Sequence, residues 1–294
     1  MSRLQGLFIN PVLNKEIRLR FRSFKNFVGI FLFLAICGAV CLAFIYTETQ
    51  FTRDSFTAAD SKNLFMLLSM GQLGLIIFIT PGLTAGSISG EREKQTLNIM
   101  LTTQQSSTSI ILSKLFSSIL FLTLMLIASL PLYSIVFLYG GVSPQMVLTM
   151  FGYQLLTMLA LGSIGIMFST IMKKTIVSTI TTYGVMLFLV IGTLILFFIM
   201  MRLILGFSQG PVGTGQTNNN ILPYLVLIFN PAVAMLSSFD MNLFMYQFRQ
   251  LGIDLPLWTG FTLAYSTITL VILLIAVRRL RPSTRIKSKK MKKG

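Results

Sequence analysis

Charge is nearly absent from six long stretches of this 294-residue chain, and that absence limits the fold more than any motif does. The stretches 27–46, 64–84, 112–139, 146–171, 176–200 and 258–277 hold one charged side chain among them, Lys114. About 20 apolar residues in a helix cover the roughly 30 Å hydrocarbon core of a bilayer. The pattern therefore predicts an all-α polytopic membrane protein with six transmembrane helices. Composition agrees: 54% of residues are apolar, and eight acidic residues are too few to keep such a surface in water.

The charges outside the stretches predict an orientation. Twenty of the 24 Lys and Arg residues fall in 1–26, in 85–114, in 172–175 and beyond 277, the segments that share one side if the chain crosses six times. Only Arg53, Lys62, Arg202 and Arg249 fall on the other side, together with Glu48, Asp54, Asp60, Asp240 and Asp254. Cytoplasmic loops collect Lys and Arg, so both termini are expected in the cytoplasm of a cell-membrane protein. The first apolar stretch follows 26 residues with six basic groups and runs on as a full span, which argues against a cleavable leader.

The net charge of +16 invites a nucleic-acid reading, but the basic residues flank spans and lack interleaved aromatics, so no nucleic-acid partner is expected. The tail 278–294, with nine basic residues and no acid, is expected to lie on anionic membrane lipid. Histidine is absent, which removes the commonest general base and metal ligand. Cys37 and Cys41 lie four apart inside the first span and read as small packing residues, with no metal site or disulfide implied.

A seventh apolar stretch, 221–239, would put the basic tail outside if it crossed. Pro223 and the pair Asn230–Pro231 interrupt it, and the pair reads as an N-cap followed by a first helical residue. Two short external or re-entrant helices before the sixth span are predicted instead, after a flexible loop from Gly206 to Asn220. Pro131 predicts a kink near the outer end of the third span.

Two segments outside the spans have their own pattern. In the first, Asn10 and Pro11 suit the start of a helix on which Leu13, Ile17, Phe21, Phe24 and Val28 form one stripe. Lys15, Arg18, Arg22 and Lys25 form another, with Glu16 between the stripes, as expected of an amphipathic helix lying in the interface. In the second, the end of the second span runs through Gly82, Gly86 and Gly90, a smooth ridge for close backbone approach. Glu91, Arg92 and Glu93 then make a charged turn, with the two acids expected at the positive start of the helix that follows. Leu97, Met100 and Leu101 would form that helix's apolar face. Lys114 lies close enough to an end of the third span to snorkel toward water.

The run Gly90-Glu91-Arg92-Glu93 with Thr96-Leu97 and Lys114 resembles the signature of ABC-2 type permeases, the membrane subunits of type V ABC exporters. The segment Asn10-Pro11-Val12-Leu13-x-Lys15-Glu16-Ile17-Arg18 is similar to the start of that family. The resemblance implies an elbow helix over 1–26 that includes Asn10, Pro11, Lys15, Glu16, Arg18, Arg22 and Lys25. It implies a six-span domain over 27–277, with a coupling loop at 85–111 and an external segment at 201–257. Glu91, Arg92, Glu93, Thr96, Leu97, Met100 and Leu101 would belong to the coupling helix that seats in a separate ABC ATPase subunit. A second permease subunit, identical or not, would complete the path. Many members have a proline shortly after the Leu-Leu pair, where this chain has Thr102-Thr103-Gln104-Gln105.

No Gly-x-x-x-x-Gly-Lys-[Ser/Thr] loop occurs, so the resemblance places ATP and Mg on the partner and leaves this chain a transport subunit without its own ATPase site. The alternatives are a secondary ion-coupled transporter and a non-transporting anchor that recruits a cytoplasmic partner. A proton relay usually needs ionisable residues inside the membrane, and the spans offer only Lys114. Their Phe, Leu, Ile and Met content suits an apolar or amphipathic cargo. Ser178-Thr179-Ile180-Thr181-Thr182 reads as hydroxyls bonded to neighbouring helices or to their own backbone.

Overall fold

A computed structural model describes residues 16–18, 22, 24–51, 56–97, 106–207, 222–239 and 257–280. Among these residues the chain is helical and forms no strand. The first span is α1 (Phe24–Phe51) and the second is α2 (Ala58–Thr84). A short helix, α3 (Ser89–Glu93), follows. The third span consists of α4 (Ser107–Ala128) and α5 (Leu130–Tyr139), and the fourth is α6 (Pro144–Ile171). The fifth joins α7 (Thr175–Leu187) to α8 (Thr193–Phe207) through a π-helical turn at Phe188–Gly192. Two short helices, α9 (Leu222–Ile228) and α10 (Pro231–Phe239), precede the sixth span, α11 (Leu257–Leu280). Six helices are long and apolar enough to cross a membrane, matching the six charge-poor stretches.

Several helices begin well before their apolar stretches because polar residues cap them. Thr57 accepts from the Asp60 amide and Asp60 answers to the Thr57 amide at 2.9 Å, a reciprocal box that starts α2 six residues early. Ser106 and Ser143 accept from Ser109 and Met146, each at 3.2 Å, and start α4 and α6. The third span breaks at Ser129, two residues before Pro131, because a proline cannot donate to the preceding turn.

The fourth span is the hub, with 67% of its apolar segment buried, against 17%, 17% and 22% for the first, fifth and sixth. Those three therefore keep broad apolar faces for lipid or another chain. Close approach at the hub depends on small residues. A Cβ on Gly165 would lie 2.1 Å from the Thr84 hydroxyl, and one on Gly162 would lie 3.0 Å from Leu115. Cys37 and Cys41 are buried free thiols in the same apolar core.

Polar side chains inside the bundle bond to one another, as a medium without water demands. The Tyr133 hydroxyl donates to Gln72 Oε1 at 2.6 Å, and Gln72 Nε2 donates to Ser129 Oγ at 2.9 Å. Gln154 Nε2 reaches Ser69 O at 3.3 Å and Gln72 Oε1 at 3.4 Å, while Gln154 Oε1 is buried with no partner among the described residues. An unmade bond costs more than a made one contributes, so the two glutamines should behave oppositely on substitution. Gln72→Leu, which takes from the buried Tyr133 hydroxyl its 2.6 Å acceptor and leaves it only the Ser69 hydroxyl at 3.5 Å, should cost about 2 kcal/mol. Gln154→Met should be neutral or stabilising. Melting midpoints of the two variants in detergent check the contrast.

The two short helices sit at the end of the bundle that holds the start of the second span. Phe239 on α10 packs its ring 5.3 Å from Phe65, near the start of α2. Asn230 is the N-cap of α10, as expected, its Oδ1 accepting from Ala232 at 2.9 Å and Val233 at 3.1 Å. Its Nδ2 also donates to Val190 O at 2.8 Å and to Thr193 Oγ1 at 2.9 Å, which binds α10 to the π-helical turn. A π turn disturbs the α-helical ladder, and within it Val190 O accepts from Asn230 and, at 3.4 Å, from the Thr193 hydroxyl. The turn between the third and fourth spans lies at the same end. Gly140 and Gly141 have φ of 79° and 84°, and a Cβ on Gly141 would fall 2.2 Å from Ala58 O.

Candidate functional site

The opposite end of the second span builds the most highly connected polar site among the described residues. After Thr84 the chain turns through 85–88 into α3, whose N-cap position holds Ile88, a residue with no side-chain acceptor. Ser169 on α6 supplies the acceptor instead, its Oγ taking the Ile88 and Ser89 amides at 2.8 and 2.9 Å. Ser178 Oγ on α7 donates to Ala85 O at 2.7 Å. The start of this turn is thus held by both neighbouring spans.

The next two charged residues hold opposite helix ends. Arg92 donates from its two terminal nitrogens to Met172 O and Thr170 O, each at 2.8 Å, at the C-terminus of α6. That end is where unpaired carbonyls accumulate and a cation is favoured. Glu93 accepts from the Thr175 amide at 2.9 Å and the Thr175 hydroxyl at 2.7 Å, at the N-terminus of α7. Lys174, the cap residue there, makes no side-chain cap bond, so Glu93 fills that role from outside the helix. The helix expected to follow the charged turn, with Glu91 and Glu93 at its positive start, lies mostly outside the described residues, and the Glu93 carboxylate is directed at α7. α3 has five residues and ends at Glu93, and the carboxylate serves the dipole of α7 instead.

The hydrogen bonds from Thr175, side chain before backbone, hold the Glu93 carboxyl below the ordinary glutamate range, aided by Lys174. A carboxylate depressed in the fold contributes stability above its unfolded value, about 4.3, and that contribution is lost as pH falls through the lower folded value. Glu93→Gln should lower the melting temperature at pH 7 and above, where the carboxylate's contribution is fully present, and flatten the acid limb below about pH 4.5, so that the two profiles converge. An identical acid limb in the variant would remove this assignment.

Lys114 on α4 joins the turn to the first segment of the chain. It is 4% exposed, with Nζ 2.9 Å from Glu16 Oε1 and 3.6 Å from Glu91 Oε1. The snorkelling expected from sequence does not occur, because two carboxylates from distant segments close over the ammonium. Among the described residues Lys114 is the only charged side chain that is buried. Glu91 also accepts from the Thr96 hydroxyl. Burial, the largest single influence, raises the Glu91 carboxyl, but the Thr96 bond and the Lys114 charge outweigh it and hold the group low.

Apolar contacts close the site from behind. Ile88, Leu97, Ile110 and Ile111 form a buried cluster with Ala276 and Leu280 of α11. The glycine ridge meets α7: Cβ atoms on Gly82 and Gly86 would lie 3.3 Å from Tyr183 Oη and 3.2 Å from Thr175 Cγ2. The hydroxyls of Thr181 and Thr182 bond to Val177 O and Ser178 O on their own helix, as expected.

Of the residues singled out from sequence, Glu91, Arg92, Glu93, Thr96 and Leu97 come together in this turn, and Glu16 reaches it through Lys114. Arg18 and Arg22 are exposed, and Lys25 falls in the first turn of α1. Asn10, Pro11, Lys15, Met100 and Leu101 lie outside the described residues. Sequence reasoning missed Ser169, Thr170, Met172 and Thr175. Two of these act through backbone carbonyls, which leave no mark in a sequence. Gln95, with φ of 58°, also gave no warning, since non-glycine residues rarely adopt that conformation. Among the described residues no three side chains converge to hold a metal.

A family model described as ABC-2 family transporter protein matches residues 11–280, which takes in the turn, its partners and all six spans. No curated protein matches the chain significantly. A six-span helical membrane protein matched over that length belongs to the ABC-2 family of transporter proteins, the membrane permease components of ABC transporters.

Proposed function

We propose that this chain is an export permease whose turn at 85–97 receives force from a separate cytoplasmic ABC ATPase subunit. Two permease subunits, identical or not, would enclose the path, and ATP with Mg would be bound by the partner. Both termini and the turn would face the cytoplasm, a reading the distribution of Lys and Arg supports. The observation that supports this reading best is the way the turn is anchored. Ser169, Arg92 and Glu93 join it to α6 and α7, and Lys114 joins it to α4 and Glu16. A push on a free loop would bend the loop, whereas a push on this turn must move several spans together. Closure of the ATPases would then rock the spans and open the path outward. The apolar faces of the spans suit an apolar or amphipathic cargo.

Co-expression with candidate ATPase subunits, purification and an ATPase assay test the reading. A stable complex with vanadate-sensitive hydrolysis is expected, and Arg92→Ala should uncouple hydrolysis from transport while the complex still forms. Absence of any complex would overturn the proposal. Transport that continues with a hydrolysis-dead ATPase partner would favour an ion-coupled carrier.

A further inference from the structure

The end of the bundle that forms the turn also holds an open cleft of about 530 Å³, lined by Arg92, Thr170, Ile171, Lys173 and Arg279. Three cations and no acid line it. Lys173 lies in the link between α6 and α7, and Arg279 lies in the last turn of α11. Both are exposed, and among the described residues neither forms a salt bridge. The acids on the adjoining turn are already committed, Glu93 to Thr175 and Glu91 to Thr96 and Lys114. Arg92 directs one donor of each terminal nitrogen at a carbonyl, which leaves part of its five-donor fork unspent.

Positive charge gathered in a concave site without a counter-charge calls for an anion, and the lining narrows its kind. Ile171 ends a membrane span, forms part of the wall and is 41% exposed. A ligand with a phosphate at one end and an apolar body at the other satisfies both surfaces. Basic pockets between the ends of spans are where such headgroups settle. We propose that this cleft binds the phosphate headgroup of an anionic phospholipid, with Lys173 and Arg279 as its main cationic contacts and its acyl-glycerol portion against Ile171. Arg92 both lines the cleft and holds the end of α6, so an occupied cleft would brace the turn against that span.

Binding is measured on the chain itself, so the result does not depend on the ATPase reading. The purified protein is titrated in detergent with cardiolipin, phosphatidylglycerol and phosphatidylcholine, and bound lipid is counted by native mass spectrometry. The wild type should retain an anionic lipid under washing that removes phosphatidylcholine. Lys173→Gln with Arg279→Gln should weaken that retention about tenfold or more. Lys62→Gln, an exposed basic site at the other end of α2, should leave it unchanged, and Lys173→Arg with Arg279→Lys should preserve it. Equal retention by the wild type and the glutamine variant overturns the proposal. Saturable retention of inorganic phosphate without lipid would reassign the cleft to a soluble anion. Loss of the ATPase subunit from the glutamine variant with lipid retention intact would reassign it to a protein contact.

Discussion

Lys114→Met should lower the melting midpoint of the purified protein by about 5–10 °C and reduce any ATPase-coupled transport to a small fraction of the wild-type rate. The variant leaves Glu16 and Glu91, which are 19% and 33% exposed, facing each other without the ammonium that separates them. Removing one member of a buried ion pair costs about 3–5 kcal/mol. Water reaches Glu91, so screening should bring the figure here to about 2–4 kcal/mol. The decisive comparison is the triple variant, Lys114→Met with Glu16→Gln and Glu91→Gln, in which no charge is left unpaired. It should recover most of the lost midpoint, because neutral side chains of similar volume replace a buried charge cluster at little cost. Transport should not recover with it if the cluster is what joins the first segment to the turn. A single variant that melts with the wild type would show that the cluster contributes nothing to the fold.

The second large effect is expected at Gly165. Gly165→Ala puts a Cβ 2.1 Å from Thr84 Oγ1 and 2.9 Å from Thr84 Cβ. Thr84 cannot rotate away freely, because its hydroxyl donates to Thr80 O at 2.8 Å and the residue is buried. Overpacking of this kind costs about 1–3 kcal/mol, and it would prise the second span from the fourth directly beside the turn. Thr84→Ala removes the nearer atom, so the double variant should regain part of the loss. Gly152→Ala on the same helix is the control. Nothing lies within 4 Å of its Cβ, and an alanine should hold the helix as well or better. Equal midpoints for the alanine variants at 165 and 152 would contradict the close approach described here.

The architecture was legible in the chain to the extent that it follows from solvent. Six stretches with a single charge among them became six spans, because a bilayer penalises any other arrangement of such residues. Asn230–Pro231 and Pro131 announced the two short helices and the broken third span, since a proline acts on its own neighbourhood. The location of the site was legible too, through the run from Gly90 to Leu97. Its wiring was not. Lys114 pairs with residues 98 and 23 positions away, and Arg92 finds carbonyls about 80 positions on. Such pairings depend on which helices become neighbours, and periodicity within one helix carries no record of that. The extent of the apolar stretches also understated several helices, whose starts are set by hydroxyl caps beyond the hydrocarbon core.

The π-helical turn at Phe188–Gly192 bears on how the fifth crossing should be mapped. An extra residue in one turn rotates everything after it by about 100° relative to an unbroken helix. The stripe of positions that faces lipid before residue 188 does not continue along the same angular line beyond 192. A cysteine or tryptophan scan fitted with one helical wheel from Thr175 to Leu203 would assign the later half to the wrong sides. Two wheels, offset at the π turn, are the geometry that such data should obey.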